Sequence, residues 1–234
     1  LAADAAIGAG YGSAGERCMA ISMVVAVGAA ADKLIPKMLE RIAKLKTGPG
    51  SDPGSEMGPL ITRAHRDKVA GYVDAGVREG AQLLADGRSL KVKGHEDGFF
   101  LGPCLFDRVQ PSMSIYQDEI FGPVLGVTRV DTYDQAIAMV NSNPYANGVA
   151  LFTNDGGAAR KFQHEVEVGM VGINVPIPVP MSYYSFGGWK ASLFGDLHIY
   201  GTDGVRFYTR NKVVTSRWLD PRFRGVDLGF PTNR

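Results

Sequence analysis

The chain has 234 residues, 45% hydrophobic and 21% charged, and 25 Lys and Arg against 24 Asp and Glu give a net charge of +1. This balance suits one large globular domain, with or without an appendage, and excludes wholesale disorder. It also argues against a general electrostatic grip on nucleic acid or an anionic membrane.

In chain order, the alanine-rich opening LAADAAI predicts a helix, GAGYGSAGERC a glycine-rich turn, and ISMVVAVG a buried strand. Residues 32–46 predict an amphipathic helix with Leu34, Ile35, Met38, Leu39, Ile42 and Leu45 on one side, Asp32 as its N-cap and Gly48 beyond its end. The loop TGPGSDPGSEMGPL is too rich in Gly and Pro to be regular. A second helix follows over 62–79, opening at Thr62, and short strands near 81–85 and 99–107. Beyond a turn comes the strand VLGVTRV, then a helix over 133–142 capped by Asp131 or Thr132. A strand at 148–153, a helix at 155–166 and a strand at 170–174 continue the alternation. Strands alternating with helices predict an α/β fold, three αβα layers around a mostly parallel sheet. The stretch VPIPVPMSYYSFGGWK breaks the rhythm and predicts a long irregular loop. Residues 205–218 have high β propensity and read as a strand, either offered to a partner subunit or lying at an ordinary edge. The 203–234 segment holds seven Lys or Arg against three Asp or Glu.

Two cysteines cannot make a disulfide framework, so a reducing compartment is expected. The four histidines show no metal-ligand spacing, and no metal is expected. The longest nearly apolar stretch, residues 19–31, is about half the ~20 residues a bilayer demands. Gly10, Gly12 and Gly15 spell G-x-G-x-x-G, but they follow a predicted helix and precede a strand, the reverse of a dinucleotide-binding turn.

Cys18 lies between the glycine-rich turn and a buried strand, beside Arg17. A neighbouring cation and free backbone N–H groups favour the thiolate, and small residues before it leave room for a substrate. The alternative is a buried structural thiol. Cys104, in GPCLF, has only apolar company and reads as structural.

GERCMAIS, SDPGSEMGPLI, YQDEIFGPVL and INVPIPVP followed by FGGWKAS, in this order over essentially the whole chain, resemble the C-terminal, catalytic half of the aldehyde dehydrogenase superfamily. The Arg before the Cys, the VPIPVP loop and FYTRNKVVTSRW resemble its CoA-acylating methylmalonate-semialdehyde branch. The resemblance implies that Cys18 is the nucleophile and carries a thioester, that NAD takes the hydride, and that CoA, or in most members water, takes the acyl group. It implies that Glu119 and Phe121 hold the nicotinamide ribose and ring, that Arg17 binds a substrate carboxylate, and that Phe186 walls the aldehyde pocket. Read without the resemblance, Glu119 is a carboxylate satisfied at a turn, Phe121 and Phe186 pack, Arg17 tunes the thiol or bridges domains, and Lys190 is structural.

The implied layout is a catalytic domain over 1–202 and a C-terminal segment, 203–234, with the oligomerisation strand of a homodimer or homotetramer. The implied partners are a small aldehyde bearing a carboxylate, and CoA, with neither nucleic acid nor membrane. The implied setting is a bacterial cytoplasm or the mitochondrial matrix. Residue 1 is Leu, and superfamily members carry a Rossmann-like cofactor domain ahead of the cysteine. The expectation is therefore a piece of a longer dehydrogenase, inactive alone. The alternatives are a dehydrogenase that releases a free acid, and a non-catalytic half-protein that serves assembly.

Overall fold

The computed structural model describes residues 1–216 and, further on, residues 218, 220, 222, 228 and 229. The alanine-rich start forms α1 (Ala2–Tyr11), which runs on through the first glycines. It breaks at Ser13, Ala14 and Gly15, three successive residues with φ of 52°, 55° and 74°. β1 (Met23–Val27) follows. α2 (Ala30–Ile42) buries Ile35 and Met38 and packs Leu34, Leu39 and Ile42 on the same core, the predicted stripe. Asp32 does not cap α2: Ala29 holds that position, and Asp32, one turn in, pairs instead with Arg129 at 2.6 Å.

α3 (Arg63–Arg78) starts where predicted, because the Thr62 hydroxyl accepts the His65 N–H. β2 (Gln82–Ala85), β3 (Cys104–Asp107), the short α4 (Ser114–Gln117) and β4 (Val124–Val130) come next. Thr132 and Gln135 form a reciprocal capping box that opens α5 (Tyr133–Ser142). β5 (Tyr145–Ala146), β6 (Gly148–Leu151), α6 (Gly156–Glu165), capped by Asp155, and β7 (Met170–Ile173) complete the alternation. β8 (Trp189–Lys190) and α7 (Gly201–Tyr208) close the series.

The main sheet has the order β1-β4-β3-β2, with β1 and β3 parallel to β4 and β2 antiparallel at the edge. Successive residues point to opposite faces, and both faces are covered, so the strands read as continuous apolar runs. Leu105, Leu125 and Val127 meet Tyr11 of α1 and Ile35 and Met38 of α2. Cys104, Phe106 and Val124 meet Val69 and Val73 of α3 and Ile115 of α4 on the other side. This is the expected αβα layering. A third core joins α5 and α6 to the parallel pair β6 and β7 through Ile137, Phe162 and Val168.

One charge is buried in the sheet. Asp107, 3% exposed, accepts from Nε and Nη2 of Arg129 at 3.0 and 2.8 Å. Burial opposes its ionisation, but Arg129 and the Arg108 N–H outweigh that and hold the carboxyl below its ordinary range.

Residues 205–208 of the expected strand over 205–218 finish α7 instead, residues 209–216 pair with no strand among the described residues, and residue 217 lies outside the described residues. Local order overrides β propensity here: Asp203 sits in the first turn of α7, one turn from Arg206, while an extended segment without a partner edge leaves its backbone groups unpaired. Most of the basic residues expected beyond 216 also lie outside the described residues. Among the described residues no helix is long and apolar enough to cross a membrane, and no cluster of His, Cys, Asp and Glu could hold a metal ion.

Candidate active site

β1 and β4 run parallel, so the loops that precede them emerge at the same end of the sheet. Cys18 precedes β1, and Glu119 and Phe121 precede β4. The candidate residues therefore gather at the amino ends of parallel strands, whereas ligands of open α/β sheets usually lie at the carboxyl ends.

Two contacts lock the two loops together. The first is a close backbone approach of Gly15 to Gly122. A β-carbon on Gly15 would lie 2.2 Å from the Gly122 carbonyl oxygen, and its φ of 74° also favours glycine. Gly122 is in turn wedged against α3, since a β-carbon there would strike Val69 at 2.6 Å. The second contact is His65 of α3, whose Nε2 lies 2.7 Å from the Phe121 carbonyl oxygen and 3.6 Å from the Glu16 carboxylate. Phe121 has a φ of 58°, a conformation that costs a bulky residue about 1–3 kcal/mol and persists only where its surroundings enforce it.

Within this frame Cys18 is exposed, and so is Arg17. Arg17 Nε donates to the Ser13 hydroxyl at 3.0 Å, which folds the guanidinium back over Gly12. No acidic side chain among the described residues pairs with it, so the remaining donors are available to a carboxylate. Glu119 is also exposed and has no hydrogen-bond or ion-pair partner among the described residues. Its carboxylate can accept from a ligand's hydroxyls. Phe121, two residues on, is 36% exposed. An exposed thiol, a guanidinium without an acidic partner and a carboxylate without a partner among the described residues thus share one pair of docked loops, groups that fit an aldehyde acid and the ribose of a nicotinamide nucleotide.

Phe186 belongs to a neighbouring cluster. Its ring packs on Tyr200 with centroids 5.6 Å apart, and the preceding Ser185 hydroxyl lies 2.7 Å from Nδ1 of His198. The proline-rich loop approaches the cysteine side where Pro178 and Met19 both lie over Gly148. Met19 Sδ also accepts from Asn147 Nδ2 at 3.1 Å. Lys190 is structural, as read: its ammonium donates to the carbonyls of Asn141 and Asn143 at the end of α5.

Cys104 is fully buried. Its thiol accepts the Gly87 N–H at 3.3 Å, and burial pushes its pKa up to about 11. Sequence reasoning missed His65 and Glu16. Nothing local marks either: the imidazole meets a carbonyl 56 residues away, and only the fold brings them together.

The sequence of residues 1–214 matches the model of the aldehyde dehydrogenase family. A malonate-semialdehyde dehydrogenase of Pseudomonas aeruginosa is 60% identical over 218 residues, which cover 93% of this chain and 44% of that relative. The bovine mitochondrial acylating methylmalonate-semialdehyde/malonate-semialdehyde dehydrogenase is 51% identical over 92% of this chain and 40% of its own length. The crystal structure of an NAD complex from Sinorhizobium meliloti, assigned as a methylmalonate-semialdehyde dehydrogenase, superposes with a TM-score of 0.91. It is 52% identical and is matched over 94% of this chain and 45% of that one. The chain thus spans less than half the length of these relatives. The match over nearly all of the described chain and the close superposition establish that this chain belongs to the aldehyde dehydrogenase family.

Proposed function

We propose that this chain supplies the nucleophile-bearing part of an NAD-dependent, CoA-acylating dehydrogenase acting on malonate or methylmalonate semialdehyde. The observation that carries the reading is the docked pair of loops, which presents an exposed Cys18 and an Arg17 and a Glu119 without competing ion pairs among the described residues. The names of the similar dehydrogenases supply the substrate class, and the NAD complex of a similar chain supports the cofactor.

In this reading Arg17 takes the substrate carboxylate and so aims the aldehyde carbon at the Cys18 sulfur. The thiolate adds to that carbon, giving a thiohemiacetal whose oxyanion accepts from a backbone N–H of the turn. An aldehyde carbon becomes a competent hydride donor only once it is tetrahedral. NAD+, when bound, accepts the hydride. Glu119 accepts from the ribose hydroxyls, Phe121 sets the ring, and Phe186 walls the aldehyde side. Loss of hydride leaves an acyl thioester on Cys18, and the CoA thiol displaces the cysteine, with loss of CO2 giving acetyl- or propionyl-CoA. The relatives are more than twice as long as this chain, and in this reading turnover belongs to a protein of that length, as a homodimer or homotetramer in the cytoplasm or mitochondrial matrix.

The test is NADH formation by the full-length protein from malonate semialdehyde, with and without CoA. Steady turnover with CoA, and only a burst of about one NADH per Cys18 without it, is expected from a trapped thioester. Undiminished turnover without CoA identifies a dehydrogenase that releases a free acid instead. No NADH under either condition overturns the reading.

A further inference from the structure

We infer that His65 is a positioning residue that fixes the nucleophile turn and the Phe121 loop as one unit. The inference rests on the dehydrogenase reading above, since it gives the two loops their tasks. Thr62 anchors the start of α3 by accepting the His65 N–H at 3.1 Å. One turn on, the fully buried Val69 packs on Gly122, so α3 turns His65 and Val69 together toward the loop. A carbonyl oxygen only accepts, so the 2.7 Å contact to Phe121 requires the proton on Nε2 of His65. The same nitrogen faces Glu16, whose side chain is 8% exposed and has no other partner among the described residues.

The left-handed backbone of Phe121 is thus held from two directions: its carbonyl by His65, and the following glycine by Val69 and Gly15. Without the imidazole the carbonyl is released and the residue relaxes toward ordinary φ. That displaces Phe121 and, two residues before it, Glu119. Glu16 loses its neighbour two residues before Cys18, so the turn that carries the thiol is no longer tied to α3. His65 touches neither thiol nor ligand in this account. It acts through Phe121 and Glu16.

Three variants of the full-length protein test this. His65→Leu keeps bulk and removes the donor. His65→Gln returns an N–H near the position of Nε2. His65→Asn, whose amide falls short of Phe121, replaces the Leu variant where that one does not fold. H65L is expected to raise KM for NAD+ about tenfold, the effect of one lost side-chain hydrogen bond, with kcat within about threefold of wild type. H65Q is expected within about twofold of wild type on both. An unchanged KM for NAD+ in H65L, or equal impairment in H65L and H65Q, overturns the inference. If the wild-type protein forms no NADH, the dehydrogenase reading has failed. The same variants are then read by iodoacetamide alkylation of Cys18 against Cys104. A Cys18 rate changed about threefold in H65L and restored in H65Q upholds the unit, because undocking the two loops alters access to the thiol. Equal Cys18 rates in all variants overturn it.

Discussion

Cys18 and Cys104 both lie at the amino end of a parallel strand, yet their surroundings differ in every respect that matters to a thiol. Cys104 begins β3 with its side chain turned into the core between the sheet and α3. Its sulfur accepts from Gly87 and its carbonyl accepts from the Tyr11 hydroxyl. Cys18 follows three residues of left-handed backbone, beside an unpaired guanidinium, and is open to solvent. Position in the sheet therefore does not decide whether a thiol is accessible. What differs is that side chains close around one thiol, while glycines bring backbone and charge to the other and leave it accessible. The two are also linked. Tyr11 ends α1 immediately before the Cys18 turn, and its hydrogen bond to the Cys104 carbonyl anchors that turn to the sheet.

The sharpest separation is by substitution in the full-length protein. Cys18→Ala is expected to lower kcat/KM by about 10³-fold or more while leaving the thermal midpoint near wild type. Cys104→Ala is expected to cost about 1–3 kcal/mol of stability through a small cavity, with kcat within a few-fold of wild type. Steady-state kinetics and thermal unfolding of both variants check this, and reversed effects would break the comparison.

A glycine pair sharpens it further. At Gly15 an added methyl meets the Gly122 carbonyl in a left-handed conformation, whereas at Gly50 it meets open space. Gly15→Ala is expected to cost about 2–4 kcal/mol and to disorganise the docked loops. Gly50→Ala is expected to stay within about 0.5 kcal/mol. Under native conditions Cys104 stays protected from alkylation in both, because its burial does not depend on the Gly15 turn. Denaturant unfolding with thiol labelling measures both effects.

Much of this was legible in the residues. The apolar stripe of α2, the Thr62 and Thr132 caps and the strand VLGVTRV follow from periodicity and capping, which are local. The glycine-rich turn before Cys18 was legible locally, whereas the role given to Cys18 comes from the resemblance and stays a proposal. Residues 205–208, read as the start of a strand, end α7 instead, because β propensity reports a fit to a half-buried surface rather than a local backbone preference. Asp32 was taken for a cap because its partner, Arg129, is 97 residues away. His65 stayed invisible for the same reason.

The smallest expected effect lies in the pH dependence of Cys104. Its folded pKa, raised from 9.0 to about 11 by burial, exceeds the unfolded value, so the native state keeps a proton that the unfolded chain releases. The stability this confers is fully present below about pH 9 and is lost as pH rises toward about 11. The loss reaches about 1 kcal/mol by about pH 10. Tyr11, whose hydroxyl burial likewise raises, adds a term of the same sign at still higher pH, so wild type alone does not isolate the thiol. The gap in unfolding free energy between wild type and Cys104→Ala does, because the variant lacks the thiol and keeps Tyr11. That gap is expected to narrow between about pH 8 and about pH 10. A constant gap would mean that the Cys104 thiol ionises alike in the folded and unfolded chains, and the contrast between the two cysteines would then rest on access alone.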